Sequence, residues 1–130
     1  MIMDFQFSKK LNCSFDEAVS KMIAALQIEG FGIISEINLK EKFKEKLSVD
    51  FRNYKIYGAC NPKLAYQAIE QEDKIGVMLP CNILVQEHPE GGIEIAAINP
   101  MQTMSAIENP KLTSLAEEVS LRLKNVIDAV

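Results

Sequence analysis

The sequence predicts an α+β fold, a single domain over residues 1–130 with a mostly antiparallel sheet and two long helices on one face of it. Three observations lead there. Two long segments, about 15–29 and 110–129, carry apolar residues at helical spacing behind a capping residue. Several shorter stretches alternate apolar and polar residues, or run apolar and β-branched, which is strand patterning. No internal repeat or low-complexity linker separates these segments, so they belong to one domain.

In chain order, Met3-Asp4-Phe5-Gln6-Phe7 alternates and reads as a half-buried strand. Ser14 and Glu17 have the spacing of a capping box. Val19, Met22, Ile23 and Leu26 follow on one face, and Gly30 stops the helix. Phe31 to Ile37 is the second strand. Asn38 to Glu41 opens a short charged helix to about Leu47, which Phe43 and Leu47 dock along one edge. Tyr54, Ile56 and Gly58 mark a third strand. Asn61 as cap and Pro62 as first helical residue open a helix to about Glu72, with Leu64, Ala65, Ala68 and Ile69 facing inward. Ile75 to Val85 and Ile93 to Ile98 read as two strands joined at Glu90-Gly91-Gly92, a hairpin signal. Asn109 and Pro110 then open the last helix, whose stripe runs from Leu112 through Leu115, Ala116, Val119, Leu123 and Val126 to Ile127.

Composition narrows the function classes. With 130 residues, 48% of them hydrophobic and 25% charged, the chain can bury a core without metals or disulfides. A net charge of −4 argues against nucleic acid as a partner. Lys40, Lys42, Lys44 and Lys46 are interleaved with Glu41 and Glu45, as on a solvated face. No apolar run approaches the ~18 residues of a membrane helix, and the start lacks the pattern of a secretory signal. A cytoplasmic protein without membrane contact is expected. Three cysteines, Cys13, Cys60 and Cys81, an odd count in such a compartment, argue against a disulfide framework. In the fourth strand Val77, Leu79, Ile83 and Val85 share one register while Met78 and Leu84 fall on the other. A strand apolar on both faces is buried on both, and the short helices are too small to cover the second face, so a homodimer is expected.

The chemistry-bearing residues are few. No glycine-rich phosphate loop, nucleophile elbow or zinc motif occurs, and Gly30-Phe31-Gly32 follows a helix rather than a strand. His88 sits in the hairpin loop beside Pro89, where a solvated ring with no orienting partner is expected. One histidine and scattered cysteines imply no metal, and no cofactor is expected. What remains is Cys60-Asn61-Pro62, at a strand end where a helix starts, and Leu79-Pro80-Cys81-Asn82, in a stretch where proline is out of place for a central strand. If the third and fourth strands pair, Cys60, Asn61, Pro80, Cys81 and Asn82 form one small polar pocket. A helix N-terminus there favours anions and lowers a neighbouring thiol's pKa. The leading expectation is a small-molecule ligand, anionic or thiol-reactive. The alternatives are an enzyme or redox protein using Cys81, and a structural dimerisation module with cysteine as core filler. Cys81 is expected to be more buried than Cys13.

Tyr57-Gly58-Ala59-Cys60-Asn61-Pro62, Ile75 through Val85 and Asn99-Pro100-Met101 together resemble the domain-of-unknown-function 302 family, with Leu-Pro-Cys the most specific part. The resemblance spans nearly the whole chain. It implies a TATA-binding-protein-like α+β fold with a β-α-β(4)-α core, commonly self-associated. It implies no DNA binding and leaves the activity open.

Overall fold

The computed structural model describes residues 4–130. Strands β1 (Gln6–Leu11), β2 (Gly32–Asn38), β3 (Tyr54–Cys60), β4 (Cys81–Glu87) and β5 (Ile93–Ile98) form one sheet in the order β1-β5-β4-β3-β2, with every neighbouring pair antiparallel. Helices α1 (Phe15–Ile28) and α5 (Pro110–Ala129) lie on one face. The shorter α2 (Leu39–Leu47), α3 (Pro62–Gln71) and α4 (Pro100–Thr103) fill the connections. The order is therefore β-α-β(4)-α with short helices inserted.

Strand periodicity sets the core. Tyr57 and Ala59 of β3, Cys81, Ile83 and Val85 of β4, and Ile93, Ile95 and Ala97 of β5 all point toward the helices and are buried. Ala18, Met22, Ala25 and Leu26 of α1 and Leu123, Val126 and Ile127 of α5 meet them there. A smaller cluster, Ala68, Ile75 and Leu112 with Met78, Leu79, Met104, Ile107 and Leu115 packed around it, sits beyond the end of the sheet.

The caps behave as the sequence predicts. The Ser14 Oγ accepts from the Glu17 N–H at 3.1 Å, and the Asn38 Oδ1 accepts from the Glu41 N–H at 3.1 Å. Gly30 takes φ +86°, a left-handed conformation that suits glycine. Three helices start with Asn-Pro, and in each the asparagine is the cap: Asn61 for α3, Asn99 for α4 and Asn109 for α5. Each also reaches outside its own helix. The Asn61 Nδ2 donates to the Glu29 carbonyl at 3.3 Å, a carbonyl that also accepts from Arg122 Nη1 at 3.1 Å. The Asn109 Nδ2 donates to the Gln71 carbonyl at 3.1 Å, so α3 is held to its surroundings at both ends. The buried Asn99 donates to the Asp4 carbonyl at 3.1 Å and accepts from Ser120 Oγ at 2.8 Å.

Several expectations need correction. The first strand is Gln6–Leu11, later than expected, and Met3 lies outside the described residues. Ile69 and Leu47 are exposed, so α3 buries only Leu64 and Ala68 fully, and α2 docks through Phe43, against Phe51 with ring centroids 5.0 Å apart, and not through Leu47. Asp73–Met78 is a 3-10 turn, not strand, and β4 begins at Cys81. Val77 is 89% exposed. The two-faced apolar strand therefore shrinks to Ile83 and Val85 on one side and Leu84 on the other. Pro80 lies just ahead of the strand, where its missing N–H takes nothing from the ladder.

Candidate functional site

Between the main core and the smaller cluster lies a cavity of ≈ 250 Å³. Its existence follows from side-chain size. Ala59, Cys60, Ala65, Ala68, Cys81 and Ala116 converge on it from β3, α3, β4 and α5, and none fills the space. Phe31, Leu64, Leu79, Met104, Leu112 and Val119 add further wall, and the exposed Ile34 also lines the space, which is partly open to solvent.

Four of the five sequence candidates line this cavity: Cys60, Asn61, Pro80 and Cys81. The register explains it. Ala59 pairs with Cys81, which brings the end of β3 beside the start of β4. Pro80 packs against Gly58, where an added Cβ would lie 2.7 Å from the Pro80 Cγ and also clash with Ser35 Oγ. Glycine at 58 is thus required by close approach, and that approach seats the proline at the cavity wall. The fifth candidate, Asn82, is a correction. It pairs with Gly58 and is exposed on the opposite face of the sheet, because neighbouring strand residues point to opposite sides.

The cavity is not the polar pocket expected. Among the described residues, no charged side chain lines it, and Asn61 is the only amide. The Asn61 side chain is already engaged, with Oδ1 accepting from the Leu64 N–H at 3.3 Å and Nδ2 on Glu29. Nor is Cys81 an activated thiol. Burial, with a smaller contribution from the neighbouring Cys60, pushes its pKa up to about 11, so it stays protonated at neutral pH. All three cysteines are free, with Cys81 buried and Cys13 and Cys60 half-buried.

Among the described residues, no histidine or carboxylate lines the cavity beside Cys81. His88 differs from expectation: it is half-buried, and its Nε2 lies 3.0 Å from Glu94 Oε1. That oriented pair lies at the opposite end of β4 from Cys81, level with Gln86 to His88, five to seven residues or roughly 20 Å away along the strand. Tyr57 is buried beside Ala59, and burial, then Glu36, raises its hydroxyl well above the usual tyrosine range. Among the described residues, no three of His, Cys, Asp and Glu come together to hold a metal ion.

Much of the wall escaped the sequence reading. Leu112, Leu115, Ala116 and Val119 were legible only as the inner stripe of a helix, and nothing in a one-dimensional pattern separates core from cavity wall. Asn99-Pro100 carried the signal for α4, the same Asn-Pro start seen at 61 and 109.

These features define a class, a single α+β domain with two long helices on an antiparallel sheet and an apolar cavity at the sheet's end. The chain belongs to DUF302, described as a domain of unknown function, whose family model matches residues 7–130. It is similar to an uncharacterised conserved DUF302 protein from Bacillus stearothermophilus known from a crystal structure, at 25% identity, with a TM-score of 0.89 over 96% of this chain and 97% of that one. No curated protein matches it.

Proposed function

We propose that this domain binds a small, uncharged, apolar molecule in the cavity between α3, α5 and the ends of β3 and β4. The observation that carries the reading is a cavity of ≈ 250 Å³ without a single charged lining residue. An apolar cavity of about 150 Å³ is enough to take benzene; in proportion, this one accommodates roughly ten carbon atoms. An anionic ligand has no cation to meet there. Covalent capture or catalysis by Cys81 finds a protonated thiol and no base within reach. The reading is therefore a binding module, with the thiols as small, polarizable wall. A reducing, cytoplasmic setting fits its three free cysteines, and no helix among the described residues is long and apolar enough to cross a membrane.

The test uses 1-naphthylamine, uncharged at neutral pH, as a fluorescent probe. Saturable binding at one site per chain, weakened at least tenfold by Ala65→Leu, is the expected result. Equal binding by parent and variant, or no saturation, refutes the assignment.

A further inference from the structure

The cavity differs between its floor and its open side. Ala59, Cys81, Leu112 and Ala116 on the floor are buried. Cys60 and Pro80 are half-buried, and Ile34 is 63% exposed. These three mark where the space meets solvent.

The strand pattern breaks at the same place. In β2, Ile33 pairs with Ala59 and Ser35 pairs with Gly58, so Ile34 is an extra residue with no partner in β3. Such a bulge re-aims its side chain and drops its residue from the ladder. Because β2 is also an edge strand, no strand lies on its other side. Polar peptide groups are therefore left outside the sheet's pairing where the apolar cavity opens. A hydroxyl stands beside them. A Cβ added to Gly58 would lie 2.7 Å from Pro80 Cγ and would also meet Ser35 Oγ, so the serine and the cavity wall adjoin across the glycine. Ser35 is exposed, and its hydroxyl both donates and accepts.

We propose that the guest of this cavity is an uncharged alcohol or phenol, with its apolar body on the floor and its hydroxyl held by the Ile34 bulge and Ser35.

This inference rests on the reading of an apolar binding cavity and adds the polar end of the ligand. A wholly apolar guest gains nothing from the part of its surface left in water at the open side. A hydroxyl placed there exchanges its hydration for peptide groups and the Ser35 side chain, and it matches both kinds of partner because it donates and accepts. Charged ends fit less well. Among the described residues no charged side chain lines the space, so a carboxylate or an ammonium would give up water for neutral partners alone. The floor admits the body of the ligand by size, and the bulge selects its functional group.

Two probes of matched size test the proposal: 1-naphthol, uncharged at neutral pH, and 1-methylnaphthalene, in which a methyl group replaces the hydroxyl. Their shared ring system fits the roughly ten carbon atoms that the cavity accommodates. Fluorescence titration of the full chain is expected to show 1-naphthol binding at least about fivefold tighter, the advantage that one net hydrogen bond confers. Ser35→Ala, an exposed change that spares the fold, is expected to remove most of that advantage and to leave the affinity for 1-methylnaphthalene unchanged. Equal affinity of the parent for the two probes overturns this proposal and leaves the apolar cavity standing. Saturable binding of neither probe overturns both readings. A 1-naphthol advantage that Ser35→Ala leaves intact overturns the proposal as well, since the hydroxyl is then held elsewhere.

Discussion

Replacing Ala116 by leucine separates a cavity from a merely well-packed core. Ala116 is buried on the α5 wall, and leucine is as good a helix former for practical purposes. The change adds three carbons. Each buried methylene contributes about 0.8 kcal/mol, so leucine entering empty space gains up to about 2.4 kcal/mol. In a core packed to ordinary density the same insertion costs about 1–3 kcal/mol through displaced neighbours. The two situations thus differ in sign. For a chain of this length 1 kcal/mol moves the melting temperature by about 3–4 °C. Calorimetry of ligand-free protein is therefore expected to show Ala116→Leu melting several degrees above the parent, by up to about 8 °C. A variant melting several degrees lower would mean that the space is not available to side chains, and the binding proposal would lose its foundation.

Thiol labelling of native protein at neutral pH should modify Cys81 last, after Cys13 and Cys60, because it is the buried one of the three and its thiol is held protonated; fastest labelling at Cys81 would restore the reactive-site reading. Stability should fall as pH rises from about 9 to about 11. The folded-state pKa of Cys81 is raised above the unfolded value, so the unfolded chain loses its proton first; the contribution is complete below pH 9 and reaches at most about 3 kcal/mol. Cys81→Ala should flatten that slope in urea titrations, and an unchanged slope would assign it to other groups. Ser120→Ala removes a partner of both Asn99 and the Met101 N–H, and should cost about 1–3 kcal/mol by chemical denaturation; a loss below 0.5 kcal/mol, roughly the noise of such work, would show the network to be incidental. Asn61→Ala should lose about 1–2 kcal/mol, with Asn61→Asp recovering the capping part but not the bond to Glu29.

Local signals carried the helices and most strands, because a cap or an apolar stripe is written within a few residues. Ser14, Asn38, Asn61 and Asn109 each mark a start that the structure keeps. The 3-10 turn at Asp73–Met78 misled for a physical reason. Ile75, Val77 and Leu79 alternate like a strand, but Ile75 alone is buried, against Ala68 and Leu112, and no neighbouring strand is available to pair with the segment. Cys60 and Cys81 could be flagged from their odd contexts, and their shared cavity required the pairing of Ala59 with Cys81, a long-range fact. The polarity of the pocket is not legible locally, because the apolar wall comes from α5, fifty residues distant in sequence from Cys60, and because Asn61 is consumed by its own cap.

The two asparagine ties on α3 bear on how the cavity exchanges its contents. At its cap, Asn61, the helix is fastened to the end of α1 through Glu29, and at its last residue, Gln71, to the start of α5 through Asn109. A wall anchored at both ends behaves as a strut, so a guest cannot escape by swinging α3 outward without breaking one of these bonds. The pocket is partly open to solvent, with the exposed Ile34 among its lining residues, so traffic need not displace α3 at all. Exchange then leaves both ties on α3 intact, and affinity is set by the alanine-lined interior.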